Sequence, residues 1–502
     1  MIKHAHSRLL SNLSWTHPAF VRAAAGCMIF GLLVSGCLPT PLLAFTPRPT
    51  VTSTPLPIHE STATLAAPTS TRDPMLVTPP IPTATTTALE RLTKNSLRGL
   101  QVTFWHPWGG TDEMYIKALI SEFNARNEWS IQVIETSQGS RSELARSVNA
   151  AAALPDIVAA YPEQALAWQA ESPAIIDLNT YIYDPTWGMT AGDLLDFPEK
   201  FLPQDQSGDQ RLGLPAQRSL LFFIYNTTWA AELGFKTPPT TPDEFRQQAC
   251  AAAKANRNAS DTTRGGTGGW LVNSAAATTL GWVQAFGGSF APDISGRYHF
   301  NTPQAQNAFQ YLDALYSDGC AWNGRSPTSY DYFAGRYALF ITASMEDLPG
   351  LAAAMQRLRN GDEWSVLAFP SVSGEPVVVT YGPCYYVFKS TPARQLASWL
   401  LIRWLTAPEQ DSRLARGWST YPVRAASLGM LADFKRTNPQ WESALPLLTF
   451  AVPVPAKASW LVASAIIQDA SVQLYTPETR PETIQPILGQ MDSLAAEVIK
   501  QP

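Results

Sequence analysis

Histidine is the side chain best suited to acid–base work near neutrality, and this chain has few. Six occur in 502 residues, and His4, His6, His17 and His59 all precede residue 60. Only His106 and His299 are left for the remainder. No His-Glu-x-x-His, Cys-x-x-Cys or close His/Cys cluster has the spacing of a zinc site, and no Gly-x-Ser-x-Gly elbow presents a serine nucleophile. Gly265-Gly266-Thr267-Gly268-Gly269 lacks the Lys-Ser/Thr of a phosphate-binding loop and the spacing of a dinucleotide loop, so it reads as a flexible surface turn. Carboxylates are numerous enough to supply a glycosidase pair, but abundance alone would suggest one in any acidic chain. No cofactor, metal or catalytic residue is therefore expected, and a surface glycoside hydrolase stays as an alternative.

Three cysteines, Cys250, Cys320 and Cys384, lie beyond Cys27 and Cys37. In an oxidising compartment two of the three can pair. Cys250 falls on a helix expected after Thr241 and Cys320 just past one ending at Gly319, which favours Cys250–Cys320 and leaves Cys384 a buried thiol.

Residues 1–36 carry Lys3, Arg8 and Arg22, then a short apolar run from Ala23 to Val34, with no acidic residue before Glu60. That is the pattern of a secretory signal, and the run is too short to span a bilayer. Val34-Ser35-Gly36-Cys37 resembles a bacterial lipobox, which makes Cys37 the expected lipidation site. Of the 41 prolines, 11 fall between Leu38 and Ala88, beside 14 threonines and only four charged residues. Such a stretch buries too little apolar surface to offset its ordering entropy. Residues 37–97 are accordingly expected to be a lipid-anchored, disordered tether. A net charge of −5 and a pI near 5.8 argue against nucleic acid as a partner.

The body beyond residue 97 alternates strands and helices. Gln101 to Trp105 reads as a strand, Thr111 to Asn127 as a helix, Ser130 to Thr136 as a strand, Ser140 to Ala153 as a helix, and Pro155 to Ala160 as a third strand. Ser219 to Asn226 reads as a buried strand. Thr241-Pro242-Asp243-Glu244 is a capping box opening a helix, and Thr302-Pro303 starts another. Such alternation predicts parallel pairing in an α/β fold, in two regions with a cleft between them.

Four stretches, in order, carry a resemblance. They are Val102 to Asn127, Leu154-Pro155-Asp156-Ile157-Val158, Gly213-Leu214-Pro215 with Tyr225-Asn226-Thr227, and Trp399 to Arg424 with its Thr420-Tyr421-Pro422-Val423-Arg424 loop. Together they resemble the family 1 extracellular solute-binding proteins of ABC importers, related to maltose-binding proteins. The resemblance implies a periplasmic-binding-protein-like fold, with two α/β lobes joined by a multi-crossing hinge. It places lobe 1 at 98–217 and 383–420 and lobe 2 at 218–382 and 421–500. It implies a cell-surface, extracytoplasmic and monomeric receptor, held to the membrane by lipid. This receptor closes on a carbohydrate and delivers it to ABC permease subunits, with a glycerol-phosphate or phosphodiester ligand as the alternative.

Sugar rings have apolar C–H faces that lie on aromatic rings, and hydroxyl rims that need carboxylate, amide or guanidinium partners. Strand ends that open onto a cleft supply the candidates. Trp105 and Trp108 flank the first such end, with Gly109 and Asp112, and Tyr161 and Glu163 stand at the third. Arg218 and Ser219 mark the first crossing and Gly382 and Tyr385 the second. Trp282 reads as a stacking platform or as core, Trp105 equally as core and Arg218 also as a structural residue, and Arg424 reaches in from the late loop. Trp399 and Trp404 fall within an amphipathic helix and read as core.

Overall fold

The computed structural model describes residues 89–325 and 329–499. The signal segment, Cys37 and most of the tether lie outside them. The packed chain begins earlier than the tether reading allowed, because Leu89 and Leu97 are both buried against the first core. Residues 89–97 thus belong to the fold: Leu89 precedes a short helix, Lys94–Leu97, that Leu97 ends, and both leucines remove apolar surface from water.

Strand β1 (Gln101–His106) leads into helix α1 (Thr111–Arg126), then β2 (Gln132–Ser137), α2 (Arg141–Ala150), β3 (Ile157–Ala160) and α3 (Pro162–Glu171). β1 pairs in parallel with both β2 and β3, as short strands joined through helices must. β4 (Gly213–Pro215) completes this sheet from the far side of a strand supplied much later.

The chain then crosses into β5 (Ser219–Asn226), the centre of a second sheet. All eight of its residues are buried, as expected of an apolar run covered on both faces. Helix α4 (Pro242–Arg257) starts at the capping box, where the Thr241 hydroxyl accepts from the Glu244 N–H at 3.3 Å and the Glu244 carboxylate accepts from the Thr241 N–H at 3.2 Å. β6 (Gly268–Leu271), α5 (Ala276–Ala285), α6 (Pro303–Ser317), β7 (Ala321–Trp322), β8 (Ala338–Ser344), α7 (Leu348–Arg357), β9 (Trp364–Leu367) and β10 (Val378–Tyr381) follow. The chain returns to the first sheet as β11 (Cys384–Val387), antiparallel to β3 and β4. Helices α8 (Pro392–Leu405) and α9 (Pro408–Trp418) cover that sheet, and β12 (Ala451–Pro453), α9's distant successor, rejoins the second before helices α10 (Trp460–Leu474) and α11 (Pro481–Val498).

The first sheet therefore runs β2-β1-β3-β11-β4 and the second β12-β10-β5-β8-β6-β7, with β9 pairing beside β10 along β5. Trp399 is fully buried in the first core, and Trp404 packs at its margin against Phe123. The Cys250–Cys320 disulfide joins α4 to the segment after α6 within the second core, and Cys384 is free and buried.

The glycine run divides: Gly265 and Gly266 form the exposed turn that its composition predicts, whereas its second half does not. Gly268 and Gly269 open β6 and are buried. A Cβ on Gly269 would stand 1.9 Å from the Cys320 carbonyl oxygen, so these glycines allow two backbones to close up rather than a loop to move.

The two sheets are joined where 216–218 passes 382–383. Ala216 and Gln217 N–H groups donate to the Pro383 carbonyl at 3.0 and 3.2 Å. A Cβ on Gly382 would lie 2.1 Å from the Gln217 carbonyl oxygen, so only glycine fits between the crossings. The segment after α9 meets them too, with the Tyr421 N–H donating to the Arg218 carbonyl at 2.8 Å.

Candidate functional site

Two adjoining cavities open between the sheets. The larger, about 670 Å³, has Trp108, Gly109 and Asp112 on one side and Glu346 on the other. The smaller, about 280 Å³, is lined by Glu163, Gly382, Ala275, Trp460 and Gln468 among others. Arg141, Tyr161 and Tyr381 line both, so the two form one cleft. A third cavity of about 370 Å³ continues from Ala275 and Gln468 to Asn273, Ser274 and Thr342.

Strand ends build this cleft. Trp108 to Asp112 follow β1, Tyr161 and Glu163 follow β3, Ala275 follows β6, Glu346 follows β8, and Tyr381 closes β10. In a sheet whose strands are joined through helices, these ends leave a crevice that the helices do not fill. Pro162 at the first helical position then turns α3 away directly after Tyr161.

Arg141, at the start of α2, pairs with Glu163, and its guanidinium lies 4.5 Å from the centre of the Tyr161 ring. Burial pushes the Glu163 carboxyl up, against the pull of Arg141. Burial also lifts the Tyr161 phenol to about 12. Glu346 accepts a hydrogen bond from the Ser219 hydroxyl, and burial raises its carboxyl to about 7 despite that bond. Asp112 is likewise raised by burial.

Trp108 forms part of the wall but does not offer an open face. It is 6% exposed, its ring is stacked on Trp418 at 4.5 Å, and its Nε1–H donates to the Gln217 Oε1 at 2.7 Å. His106 lies fully buried beneath it, with Nε2 2.7 Å from the Glu135 carboxylate. Burial lowers the His106 pKa although Glu135 opposes the shift.

The cleft thus gathers Trp108, Gly109, Asp112, Tyr161, Glu163 and Gly382 from the sequence candidates. Ser219 stands behind it and holds Glu346. Five others are placed elsewhere. Trp105 packs on the opposite face of the first sheet with Leu144, Val158 and Trp168, because alternation along β1 turns it away from its neighbours. Trp282 is fully buried among Phe223, Phe245, Trp270 and Phe369, so it is core and not a platform. Tyr385 is also core, edge-on to Phe104 and Trp108.

Arg218 is fully buried at the crossings. It donates to the carbonyls of Gln217, Gly382 and Pro383 at 2.9, 3.3 and 3.0 Å, and to the Asp205 carboxylate at 3.0 Å. Arg424 is 3% exposed and held by Asp196 at 2.8 Å and Asp193 at 3.1 Å, over the Phe197 ring at 4.6 Å. Both arginines are consumed by structure.

Sequence reasoning missed Arg141, Gln217, Glu346, Tyr381 and Trp460. The strand-end rule that selected Tyr161 would have reached Glu346 and Tyr381 had β8 and β10 been recognised. Arg141 and Trp460 sit in the first turns of helices, where nothing local distinguishes a cleft residue from an ordinary surface or core one.

A family model described as bacterial extracellular solute-binding protein matches residues 118–441. Over 340 residues the chain is 22% identical to a probable ABC transporter-binding protein of Deinococcus radiodurans, spanning 64% of this chain and 80% of that one. Among solved structures, the sugar-binding protein MalE from Xanthomonas citri superposes with a TM-score of 0.67 at 17% identity, over 79% of this chain and 98% of that one. UgpB from Mycobacterium tuberculosis, solved with glycerophosphocholine, gives a TM-score of 0.65 at 17% identity, with coverages of 79% and 98%. These likenesses show a periplasmic-binding-protein-like α/β fold.

Proposed function

The chain belongs to the bacterial extracellular solute-binding proteins, and from that premise we propose that it is the receptor of an ABC importer and captures a carbohydrate in the cleft between its sheets. Membership places it outside the cytoplasm. Among the described residues no helix is long and apolar enough to cross a membrane. In this reading residues 1–36 are removed, Cys37 carries the lipid, and the threonine/proline segment holds a monomeric body off the membrane. The lobes are 89–217 with 383–420 and 218–382 with 421–500, and they close on the solute before it passes to the permease. The protein binds and releases its ligand without chemical change.

One observation supports a sugar over a phosphodiester. The cleft wall interleaves aromatic rings (Tyr161, Tyr381, Trp460) with carboxylates and amides, and the one cation among its described lining residues, Arg141, is already paired with Glu163. Aromatic faces suit C–H surfaces and carboxylates accept from hydroxyls, whereas a phosphate would meet acids and no free cation. A dissociation constant near ~1 µM, about −8.2 kcal/mol, is within reach of one or two stacked rings with several hydrogen bonds.

A thermal-shift screen of mono-, di- and oligosaccharides against glycerophosphodiesters, with products followed by chromatography, tests this. Stabilisation by sugars without turnover is expected. Stabilisation by glycerophosphodiesters alone refutes the carbohydrate assignment, and turnover refutes the receptor assignment.

A further inference from the structure

The charges in the cleft, taken with the carbohydrate reading on which this step rests, narrow the class of solute. Four acids line the two cavities: Asp112, Glu113, Glu163 and Glu346. Arg141 answers Glu163, and Lys117 lies 3.7 Å from Glu113. Asp112 and Glu346 line the same cavity, and neither has an ion-pair partner among the described residues.

Among the described residues, the surroundings of Glu346 contain no available cation. Its own segment contributes Asp347 and Ser344, and Asp347 is itself bound by the Tyr330 hydroxyl. β5 contributes the Ser219 hydroxyl, and the facing phenols are Tyr161 and Tyr381. Arg218, behind the wall, is occupied by Asp205 and three carbonyls. Near neutrality, burial leaves Glu346 divided between its charged and neutral forms. A ligand hydroxyl can bond to either form, but an ammonium group stabilises the carboxylate and does so more strongly where water is scarce. A desolvated, unpaired carboxylate is costly to keep, and a cation carried in by the solute relieves that cost only in the bound state.

We infer that the cleft selects a cationic polyhydroxy solute, an amino sugar or an oligosaccharide carrying one, whose ammonium is received by Glu346 with Asp112 across the same cavity. Neutral sugars of the same shape bind the aromatic walls but lack this contact, and anionic ones are opposed by it.

Calorimetric titration at pH 7.0 and low salt, using hexoses and disaccharides with their matched 2-amino-2-deoxy and N-acetylated counterparts, tests the assignment. The amino form of the preferred sugar is expected to bind at least tenfold tighter than both the neutral and the N-acetyl forms. That margin should shrink in 0.5 M NaCl through screening, shrink on moving to pH 5 as Glu346 protonates, and collapse in Glu346→Gln. Asp112→Asn should reduce it, and thermal unfolding checks that both variants fold. If neutral sugars bind and the amino forms gain nothing, or if the margin survives in both variants, the inference fails while the carbohydrate reading stands. If no member of any series binds, both fail together.

Discussion

Glu346 and Arg218 show two ways in which a fold holds an ionisable side chain out of water. Glu346 is held by one hydroxyl, faces two phenols and has no ion-pair partner among the described residues, and burial raises its carboxyl to about 7. Its folded pKa lies above the ordinary carboxylate value, so its contribution to stability is fully present below pH ~4 and is lost as pH rises through about 7. Asp411, buried beneath the Val423 and Arg424 N–H groups and raised to about 6, acts in the same direction. Between pH 5 and pH 8 these two carboxyls favour the lower pH, against buried His106, whose lowered pKa favours the higher; in the unliganded protein Glu346→Gln should therefore reduce the melting temperature at pH 5 relative to that at pH 8, compared with the wild type. Differential scanning calorimetry of both proteins across this range decides it, and an unchanged pH 5 to pH 8 difference in Glu346→Gln would contradict the Glu346 shift. Arg218 is the opposite case, a guanidinium fully paired and fully buried. Replacing it with alanine leaves Asp205 unpaired in the interior and should cost about 3–5 kcal/mol, read as a lowered denaturation midpoint. Had Arg218 been a ligand contact instead, the same variant would lose affinity and keep its midpoint.

Elements were largely readable because their signals are local. The capping box at Thr241, the apolar run of β5 and the helix-joined strands β1 to β3 each announce themselves within a dozen residues. What a strand end faces is not local. Trp108, Tyr161 and Glu163 reach the cleft wall and could be named from their position after β1 and β3. Trp105, three residues before Trp108, could not be assigned to the other face without knowing which face the helices leave open. Arg424 and Trp282 looked like cleft residues because a guanidinium in a loop and an indole before Phe286-Gly287-Gly288 have that composition. Their partners, Asp193 and Asp196 for one and Phe223 and Phe369 for the other, lie far away in sequence. The disulfide belongs to this scale as well. It closes 70 residues between α4 and the end of α6, and in the chain-entropy model such a loop contributes about 4 kcal/mol. Reduction, or the Cys250→Ala/Cys320→Ala double variant, should lower the unfolding midpoint by a corresponding amount and leave sugar affinity unchanged, since neither cysteine lines the cleft. A loss of affinity in a variant that remains folded would mean that the second core and the cleft are more tightly coupled than their separation implies.

At the scale of the whole molecule, two sheets meet at backbone crossings that one arginine ties together. Gly382 brings the crossing strands into contact that leaves no room for a side chain. Any rotation of one sheet against the other has to be accommodated at these crossings, as in hinge closure around ligands. Small-angle scattering should show a smaller radius of gyration when a binding sugar is added. Gly382→Ala should disturb that response, because the added methyl has to displace the Gln217 carbonyl. An unchanged scattering curve in the presence of a ligand that raises the melting temperature would argue for a cleft that binds without moving.

The Trp108–Trp418 stack has a use of another kind. One indole follows the first strand, the other ends helix α9, and their rings lie 4.5 Å apart at 23°. Two chromophores held so closely absorb as a coupled pair, and the sign and strength of their far-ultraviolet circular dichroism depend on their mutual angle. Because Trp108 also forms part of the cavity wall, an event inside the cavity that turns its ring by a few degrees would be written into that spectrum. The buried Trp270–Trp282 pair, 5.9 Å apart in the second core, supplies a steady background against which to read it. Circular dichroism with and without a sugar therefore tests, without a label, whether binding turns the Trp108 ring.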